Sequence, residues 1–216
     1  MIGKGKSISH GVAALEYDLA KEIDGQAAAT EIARHELYGC TGAEMVQEMK
    51  PYFTDFPNVK NNCLRFEVSP SIEESSSFTD TDWAELGNDF MQRMGLMNHQ
   101  YIIIKHSGTE SKKKQAHLHI LANRISLSGE LYRDNWIGKR ATEAANAIAK
   151  ERDFVQSQDI GKANKAEIKE AMNEVLKKLQ GFDLAKFQEE LGKLGFKVRE
   201  ARASTGKLNG YYVTAR

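Results

Sequence analysis

Three histidines, His106, His117 and His119, have the side-chain type and the spacing of a metal site. In an extended strand alternate side chains point to the same face, so His117 and His119 project together. His106 lies at the end of another predicted strand, and across an antiparallel pair its ring can approach the other two. Three neutral imidazoles suit zinc, copper, iron, nickel or manganese and leave positions open for water or a phosphate oxygen. The spacing therefore favours a metal site over unrelated histidines.

Tyr17 is a candidate nucleophile, because its side chain is not needed for the core of its helix. A helix is predicted over residues 10–23, capped by Ser9, with an apolar stripe formed by Val12, Leu15, Leu19 and Ile23. In helical phase Tyr17 lies nearly opposite that stripe. Such a tyrosine is most often a surface residue, but a phenolate is a competent nucleophile toward a phosphodiester.

Glu67 is a candidate catalytic carboxylate on a predicted strand. It alternates with Arg65 and Ser69 on one face of the segment RFEVSP, while apolar residues form the other face. A carboxylate beside metal-binding histidines can orient an imidazole or accept the proton of a tyrosine. A solvated strand face is the equally weighted alternative.

The pattern of helices and strands predicts an α+β fold with an antiparallel histidine hairpin. A capped helix, Thr79–Met94, separates the strand 61–69 from the strands 99–105 and 117–125, which form the hairpin. Residues 30–50 are predicted to be one or two helices, and 71–79 a polar loop. The same patterns predict strands at 2–10 (or an ordered lead-in), 196–201 and 208–214. They predict helices at 138–151, 165–179 and 184–194.

Composition excludes several classes of protein. The formal net charge is zero, so no overall basicity indicates a nucleic-acid partner, although residues 101–152 carry ten basic and five acidic side chains. Two cysteines are too few for a disulfide scaffold or a cysteine zinc site. The sequence has no run of eighteen apolar residues and no signal-peptide core, which predicts a cytoplasmic protein without membrane insertion.

Several segments, in order along the chain, resemble the relaxases, the mobilisation nucleases of conjugative and mobilisable plasmids and transposons. The resemblance is closest to the mobilisation proteins of Bacteroides-type elements. The first segment is GKGKSISHGVAALEY, which ends at Tyr17. The central block is RFEVSP, DTDWAELGNDFMQRMG and HQYIIIKH, followed by the histidine motif, which runs from His106 to Arg124 and ends in HLHILANR. The segments NWIGKRATEAANAIAKE and GFKVREARASTGKLNGYYV follow.

The resemblance implies a fold and a function. The fold is the HUH-type relaxase fold, a five-stranded antiparallel sheet with flanking helices and with the histidines on a central hairpin. The function is nicking of one DNA strand at an origin of transfer, through a covalent 5′-phosphotyrosyl intermediate on Tyr17. His106, His117 and His119 would hold a divalent metal ion, manganese or magnesium, with other transition metals open. The partners would be origin-of-transfer DNA, as a hairpin plus single strand, accessory mobilisation proteins and a coupling protein.

The chain departs from the family pattern after His106. The family often has an acid two residues after the first histidine, but this chain has His106-Ser107-Gly108 and a longer loop to His117. Glu67, Glu110 or another carboxylate is expected to replace that acid. The DNA-binding candidates are basic or amide side chains near the site or in the C-terminal strands, namely Lys112, Lys113, Lys114, Asn123, Arg124, Arg199, Arg202 and Lys207.

The sequence therefore predicts a catalytic core over residues 1–155 and C-terminal helices with a β-hairpin over 156–216, packing on the core, with 156–165 as the best linker candidate. Relaxases often continue into further domains, so the chain is expected to be part of a longer protein. Three alternatives stay open. One is a rolling-circle replication initiator, and another is a non-catalytic DNA-binding module with a vestigial metal site. The third is a metallohydrolase that uses activated water.

Overall fold

The computed structural model describes residues 1–23, 26–107, 115–179, 181 and 183–215. The chain divides into two compact units, Met1–Ser157 and Gln158–Arg216. The strands are β1 (Ile2–Ile8), β2 (Glu22–Ile23), β3 (Gln26–Ala27), β4 (Ala29–His35), β5 (Cys63–Ser69), β6 (His99–His106), β7 (His117–Ser126), β8 (Phe196–Arg202) and β9 (Leu208–Ala215). The α-helices are α1 (Gly11–Leu19), α2 (Gly42–Met49), α3 (Ile72–Ser75), α4 (Asp80–Met94), α5 (Ile137–Glu151), α6 (Ser157–Lys178) and α7 (Leu184–Lys193), and a 3₁₀ helix covers Lys50–Phe53.

The first unit is built on a five-stranded sheet with the order β1-β5-β7-β6-β4. Every neighbouring pair in it is antiparallel. The predicted α+β class and the central hairpin of β6 and β7 are confirmed. Helices cover both faces of this sheet, which explains why β6 and β7 are almost continuously buried instead of alternating with solvent.

Two apolar layers hold this sheet between its helices. On one face, Phe66, Ile103 and Ile120 belong to the same buried cluster as Phe90 of α4 and Ala141 of α5. On the other face, Ile102 and Leu121 share a cluster with Leu15 of α1. The second face is the one that carries the histidines, because alternate residues of a strand share a face. Helices α1 and α2 therefore lie on the histidine side of the sheet.

Close packing of β1 against α5 depends on a glycine. A Cβ atom added at Gly3 would lie 2.4 Å from the backbone oxygen of Ala141 and 2.6 Å from the Cβ of Ala145. Since real Cβ atoms do not approach backbone oxygen so closely, only glycine permits this contact. The contact positions β1, whose Lys4 and Lys6 line a cavity together with His119.

Helix α4 begins and ends as its sequence predicts. The Thr79 side chain accepts a hydrogen bond from the backbone N–H of Asp82, and the Asp82 carboxylate accepts one from the backbone N–H of Thr79. Gly95 ends the helix in the left-handed conformation, with φ of 72°. The buried residues include Trp83, Leu86, Phe90 and Met94, which are the predicted apolar stripe.

Helix α1 is shorter than predicted and buries another face. It ends at Leu19, its N-cap is His10 without a side-chain cap, and Ser9 is not the cap. Its buried residues are Gly11, Ala14, Leu15 and Asp18, whereas Val12 is 39% exposed. The predicted stripe was wrong because it extended the helical periodicity into Ile23, which belongs to β2.

Three other segments differ from the sequence prediction. The start of the predicted 30–50 helix is strand β4, because pairing with β6 at the sheet edge overrides its local helical preference. The polar loop 71–79 contains the one-turn helix α3, with a capping box between Ser71 and Glu74. The predicted linker 156–165 is helical from Ser157 onward, as the first turns of α6.

The second unit consists of α6, α7 and the antiparallel hairpin of β8 and β9. Its small core contains Ala171 and Val175 of α6, Phe187 and Leu191 of α7, and Phe196 of β8. Within the described parts of both units, every helix is too short or too polar to span a lipid bilayer.

Candidate metal centre

The three predicted histidines converge at one end of the central hairpin. His106 pairs directly with His117 across β6 and β7, and His119 lies two residues further along β7 on the same face. Ring centroids are 5.5 Å apart for His106 and His117, 4.3 Å for His106 and His119, and 4.9 Å for His117 and His119. One nitrogen of each ring lies within 4.8 Å of the corresponding nitrogens of the other two. Three imidazoles at this separation fit one metal ion.

The histidines are buried and held in defined orientations. Their exposed fractions are 2% for His106, 5% for His117 and 9% for His119. Nε2 of His106 lies 2.7 Å from the backbone oxygen of Asp18, which can only accept, so Nε2 carries the proton and Nδ1 has the free lone pair. Nδ1 of His117 lies 3.2 Å from the backbone oxygen of Gln115, which leaves its Nε2 unprotonated in the neutral ring. Such second contacts are typical of metal-binding histidines.

Burial favours the neutral, metal-binding form of His106. It lowers the pKa of His106 below the usual value of 6.5, and the hydrogen bond to Asp18 opposes that shift. The positive charges of Lys21 and Arg65 lower the same pKa further. A neutral imidazole at this position can donate its lone pair to a metal ion without first losing a proton.

A buried carboxylate that was not singled out from the sequence, that of Asp18, lies beside the histidines. It is 1% exposed, and its Oδ1 accepts a hydrogen bond from Nη2 of Arg65 and lies 3.7 Å from Nδ1 of His119. Burial raises the pKa of Asp18 above its usual value, while the guanidinium of Arg65 opposes that shift. Through its backbone oxygen and its carboxylate, Asp18 contacts two of the three histidines.

Asp18 was missed because the predicted buried face of α1 was the wrong one. If the predicted stripe were the buried face, Asp18 would lie on the exposed side of the helix, where aspartates are common. Asp18 lies four residues after Ala14 and three residues after Leu15. Residues with this spacing share one face of a helix, so the three could form a buried face together. An acid on that face, next to Tyr17, was the available signal.

Glu67 lies on the histidine side of the sheet, as its strand phase predicts. It pairs directly with His119 across β5 and β7. Its carboxylate accepts a hydrogen bond from Nζ of Lys4 at 3.0 Å, and its side chain is 27% exposed. Glu67 therefore lies beside the histidines and partly in contact with solvent, and its catalytic role stays a prediction.

Tyr17 projects from α1 into solvent, directly before Asp18 in the chain. Its side chain is 60% exposed, so the prediction that it is not part of the core is confirmed. Nζ of Lys21 lies 5.6 Å from the centre of the Tyr17 ring, within the range of a cation–π contact. The positive charge of Lys21 also contributes to the lowered pKa of His106, so this lysine lies between the phenol and the histidines in sequence and charge environment. Lys21 was not singled out from the sequence.

Two predicted DNA contacts are used by the protein itself. Asn123 is completely buried, donates to Oε1 of Gln100 and accepts from the backbone N–H of Ile125, so it cannot reach DNA and has a structural role. The guanidinium of Arg124 donates to Asp134 and to the backbone oxygens of Asn61 and Tyr132, which ties the end of β7 to the following loop.

The remaining predicted contacts are basic residues of the second unit and of the segment between β6 and β7. In the second unit Arg199 and Lys207 are exposed. Arg202 donates to Glu200 and to the backbone oxygen of Gly206, and so stabilises the turn between β8 and β9. Lys112, Lys113, Lys114 and Glu110 lie outside the described residues.

A comparison with known families identifies the domain. The sequence matches the MobA/VirD2-like relaxase nuclease domain over residues 17–154, well over half of the chain. The chain belongs to this relaxase family. The match begins at Tyr17 and includes all three histidines of the metal centre. The narrower resemblance to mobilisation proteins of Bacteroides-type elements stays a prediction.

The solved structures that the chain is similar to include three of the conjugative relaxase TrwC in complex with oriT DNA. The metal-bound complex is 12% identical to this chain, with a TM-score of 0.40, and covers 96% of this chain and 74% of its own. The metal-free complex is 11% identical, with a TM-score of 0.42, and the copper-bound complex is 12% identical, with a TM-score of 0.37. No curated protein sequence matches the chain significantly.

Proposed function

We propose that this relaxase nicks one DNA strand at an origin of transfer through a covalent 5′-phosphotyrosyl intermediate and so initiates conjugative mobilisation. The observation that carries the proposal is the position of Asp18. Its side chain and backbone contact two histidines of the metal centre, and Tyr17 is its neighbour on the same helix. One helix thus connects the nucleophile with the metal centre.

The three histidines would hold a divalent metal ion, which would polarise the scissile phosphate as a Lewis acid. Imidazole nitrogen is a better ligand for manganese than for magnesium, which prefers oxygen, so we favour manganese. Asp18 positions His106 through its backbone oxygen. Its carboxylate accepts a hydrogen bond from Nη2 of Arg65, and that nitrogen lies 3.4 Å from Nδ1 of His119. Asp18 and Arg65 together would therefore orient both rings.

The covalent step follows from the chemistry of a phenol. The oxygen of Tyr17 attacks the phosphorus and forms a new P–O bond, while the bond to the 3′ oxygen breaks and that oxygen takes up a proton. Glu67, beside His119, is the carboxylate that we propose to accept the phenol proton. The number of phosphoester bonds does not change, so a free 3′ hydroxyl can reverse the reaction and rejoin the strand.

The DNA and protein partners follow from the same proposal. The DNA substrate would be a hairpin plus single strand from an origin of transfer, in the cytoplasm, with accessory mobilisation proteins and a coupling protein. Arg199 and Lys207 of the second unit are exposed cations that can contact the DNA backbone. The buried carboxylate of Asp18, close to His119, supports a working metal centre over a vestigial one, although the acid two residues after His106 is missing.

The test is a search for a covalent complex. The full chain is incubated with labelled single-stranded oligonucleotides that tile the inverted repeats beside its gene, with and without Mn²⁺. We expect a protein–DNA complex that survives denaturant and forms only with the metal. Cleavage without such a complex would show that water is the nucleophile and would refute the phosphotyrosyl mechanism.

A further inference from the structure

A small basic cavity opens beside the metal centre, on the side of the sheet edge formed by β1. Its volume is about 230 Å³, and its lining includes Lys4, Lys6, Arg65, Glu67 and His119. Pockets for whole small molecules usually measure about 300–1,000 Å³, so this cavity suits a smaller group. A phosphodiester group with part of its sugars is of that size. Since His119 lines it, any group bound there also borders the metal centre.

The strand register places the basic residues at two levels. Lys4, Glu67 and His119 lie at one level across β1, β5 and β7, and Lys6 and Arg65 pair at the next level. Two residues along a strand span about 7 Å, which is comparable with one nucleotide of an extended strand. The distance between the two levels therefore matches the distance between neighbouring phosphates. One phosphate can lie at the histidines while the next one lies at Lys6 and Arg65.

The cations that line the cavity are incompletely used by the protein. Lys4 is neutralised by Glu67, at 3.0 Å. Lys6 is exposed and has no ion pair or hydrogen bond with any residue that the structure describes. Nη2 of Arg65 donates to Asp18 and lies 3.4 Å from Nδ1 of His119, and its Nε is enclosed by the protein. A guanidinium has five N–H donors, so the salt bridge to Asp18 orients the group and leaves further donors for a phosphate.

We propose that Lys6 and Arg65 bind the phosphodiester next to the scissile one and thereby set the register of the single strand over the metal centre. This inference rests on the proposed function for the identity of the scissile phosphate. It goes beyond that function in assigning a second phosphate site. Arg65 is then shared between Asp18, which positions the histidines, and the incoming strand.

The first test measures binding and needs no cleavage. The affinity of the full chain for a fluorescent ten-residue oligothymidine is measured by anisotropy at several salt concentrations. Each lost phosphate contact with a single strand reduces the slope of log K against log[salt] by about 0.7. We expect that reduction for Lys6→Gln and no change for Lys150→Gln, because Lys150 is an exposed lysine of α5, on the opposite face of the sheet. An unchanged slope for Lys6→Gln would overturn the proposal.

The second test locates the phosphate. On a DNA strand that the protein nicks, single neutral methylphosphonates replace each linkage on either side of the nick, and nicking rates are compared for the wild type and Lys6→Gln. With the methylphosphonate at the linkage next to the nick, Lys6→Gln should no longer lower the nicking rate, because both changes delete the same contact. Additive effects at every linkage would refute the phosphate site. Coupling only at the scissile linkage would place Lys6 at the reacting group and refute the assigned position.

Discussion

Replacing Asp18 with asparagine isolates the role of its carboxylate in the metal centre. The asparagine side chain would keep an oxygen near Nη2 of Arg65 but remove the negative charge, which lies 3.7 Å from Nδ1 of His119. The carboxylate acts on His119 through Nη2 of Arg65, which contacts both, and loss of such an outer partner of a metal-binding histidine typically weakens metal affinity about 10- to 100-fold. That range corresponds to about 1.4–2.8 kcal/mol of binding free energy.

The same substitution also affects folding, and the two effects have to be separated. Removing one partner of a buried ion pair costs about 3–5 kcal/mol. The Arg65 side chain is 20% exposed, and the asparagine oxygen remains as an acceptor, so we expect about 1–3 kcal/mol of lost stability. Urea unfolding measures this loss, and metal binding is then measured under conditions in which the variant is fully folded.

Isothermal titration with Mn²⁺ is the assay for the metal centre. Glu16→Gln is the matched control, because it removes one carboxylate from the same helix, and that carboxylate accepts from the backbone N–H of Ala43 in α2. We expect weaker Mn²⁺ binding for Asp18→Asn, by at least about tenfold, and little change for the control. A dissociation constant within about twofold of the wild type in folded Asp18→Asn would refute the positioning role of Asp18.

Two further predictions concern buried titratable groups. Burial raises the pKa of the Cys63 thiol to about 12, whereas Cys40 is exposed. A disulfide reagent at pH 8 should therefore modify Cys40 rapidly and Cys63 only when the protein unfolds. Equal rates of modification would contradict this prediction. Burial lowers the pKa of His99 below 6.5, and its hydrogen bond to the Asn123 oxygen opposes that shift. The unfolded chain therefore binds a proton that the folded protein excludes, so this stability is present above pH 6.5 and is lost as pH falls toward the lowered pKa. As the pH falls from 7.5 to 5.5, the free energy of unfolding in urea should decrease more for the wild type than for His99→Phe, by at most about 1.4 kcal/mol. Equal decreases would contradict a lowered pKa of His99.

The central hairpin was predictable because its signals are local. Strands β6 and β7 are runs of apolar and β-branched residues, and the histidine spacing places two rings on one face regardless of the rest of the fold. The capping box of α4 is equally local, with Thr79 and Asp82 three residues apart. These features need no knowledge of distant parts of the chain.

The carboxylate and the edge strand were not predictable in this way, because distant partners decide them. Strand β4 forms through pairing with β6, which lies some seventy residues later (Ala29 with His106, for example). Asp18 becomes a metal-site residue only because α1 packs over the sheet and meets Arg65 and His119. The helical pattern of α1 is compatible with two buried faces, and the prediction took the one that tertiary packing does not bury.

The central claim is that Tyr17 becomes covalently attached to DNA, and peptide mapping of the denatured complex tests it most directly. Trypsin releases Tyr17 in the peptide of residues 7–21. The account predicts that mass spectrometry finds the nucleotide adduct on this peptide, at Tyr17. It also predicts that Tyr17→Phe abolishes the adduct but retains DNA binding, while Tyr38→Phe, at a tyrosine that is 75% exposed, leaves both unchanged. An adduct that persists in Tyr17→Phe, or that maps to another residue, would contradict the account.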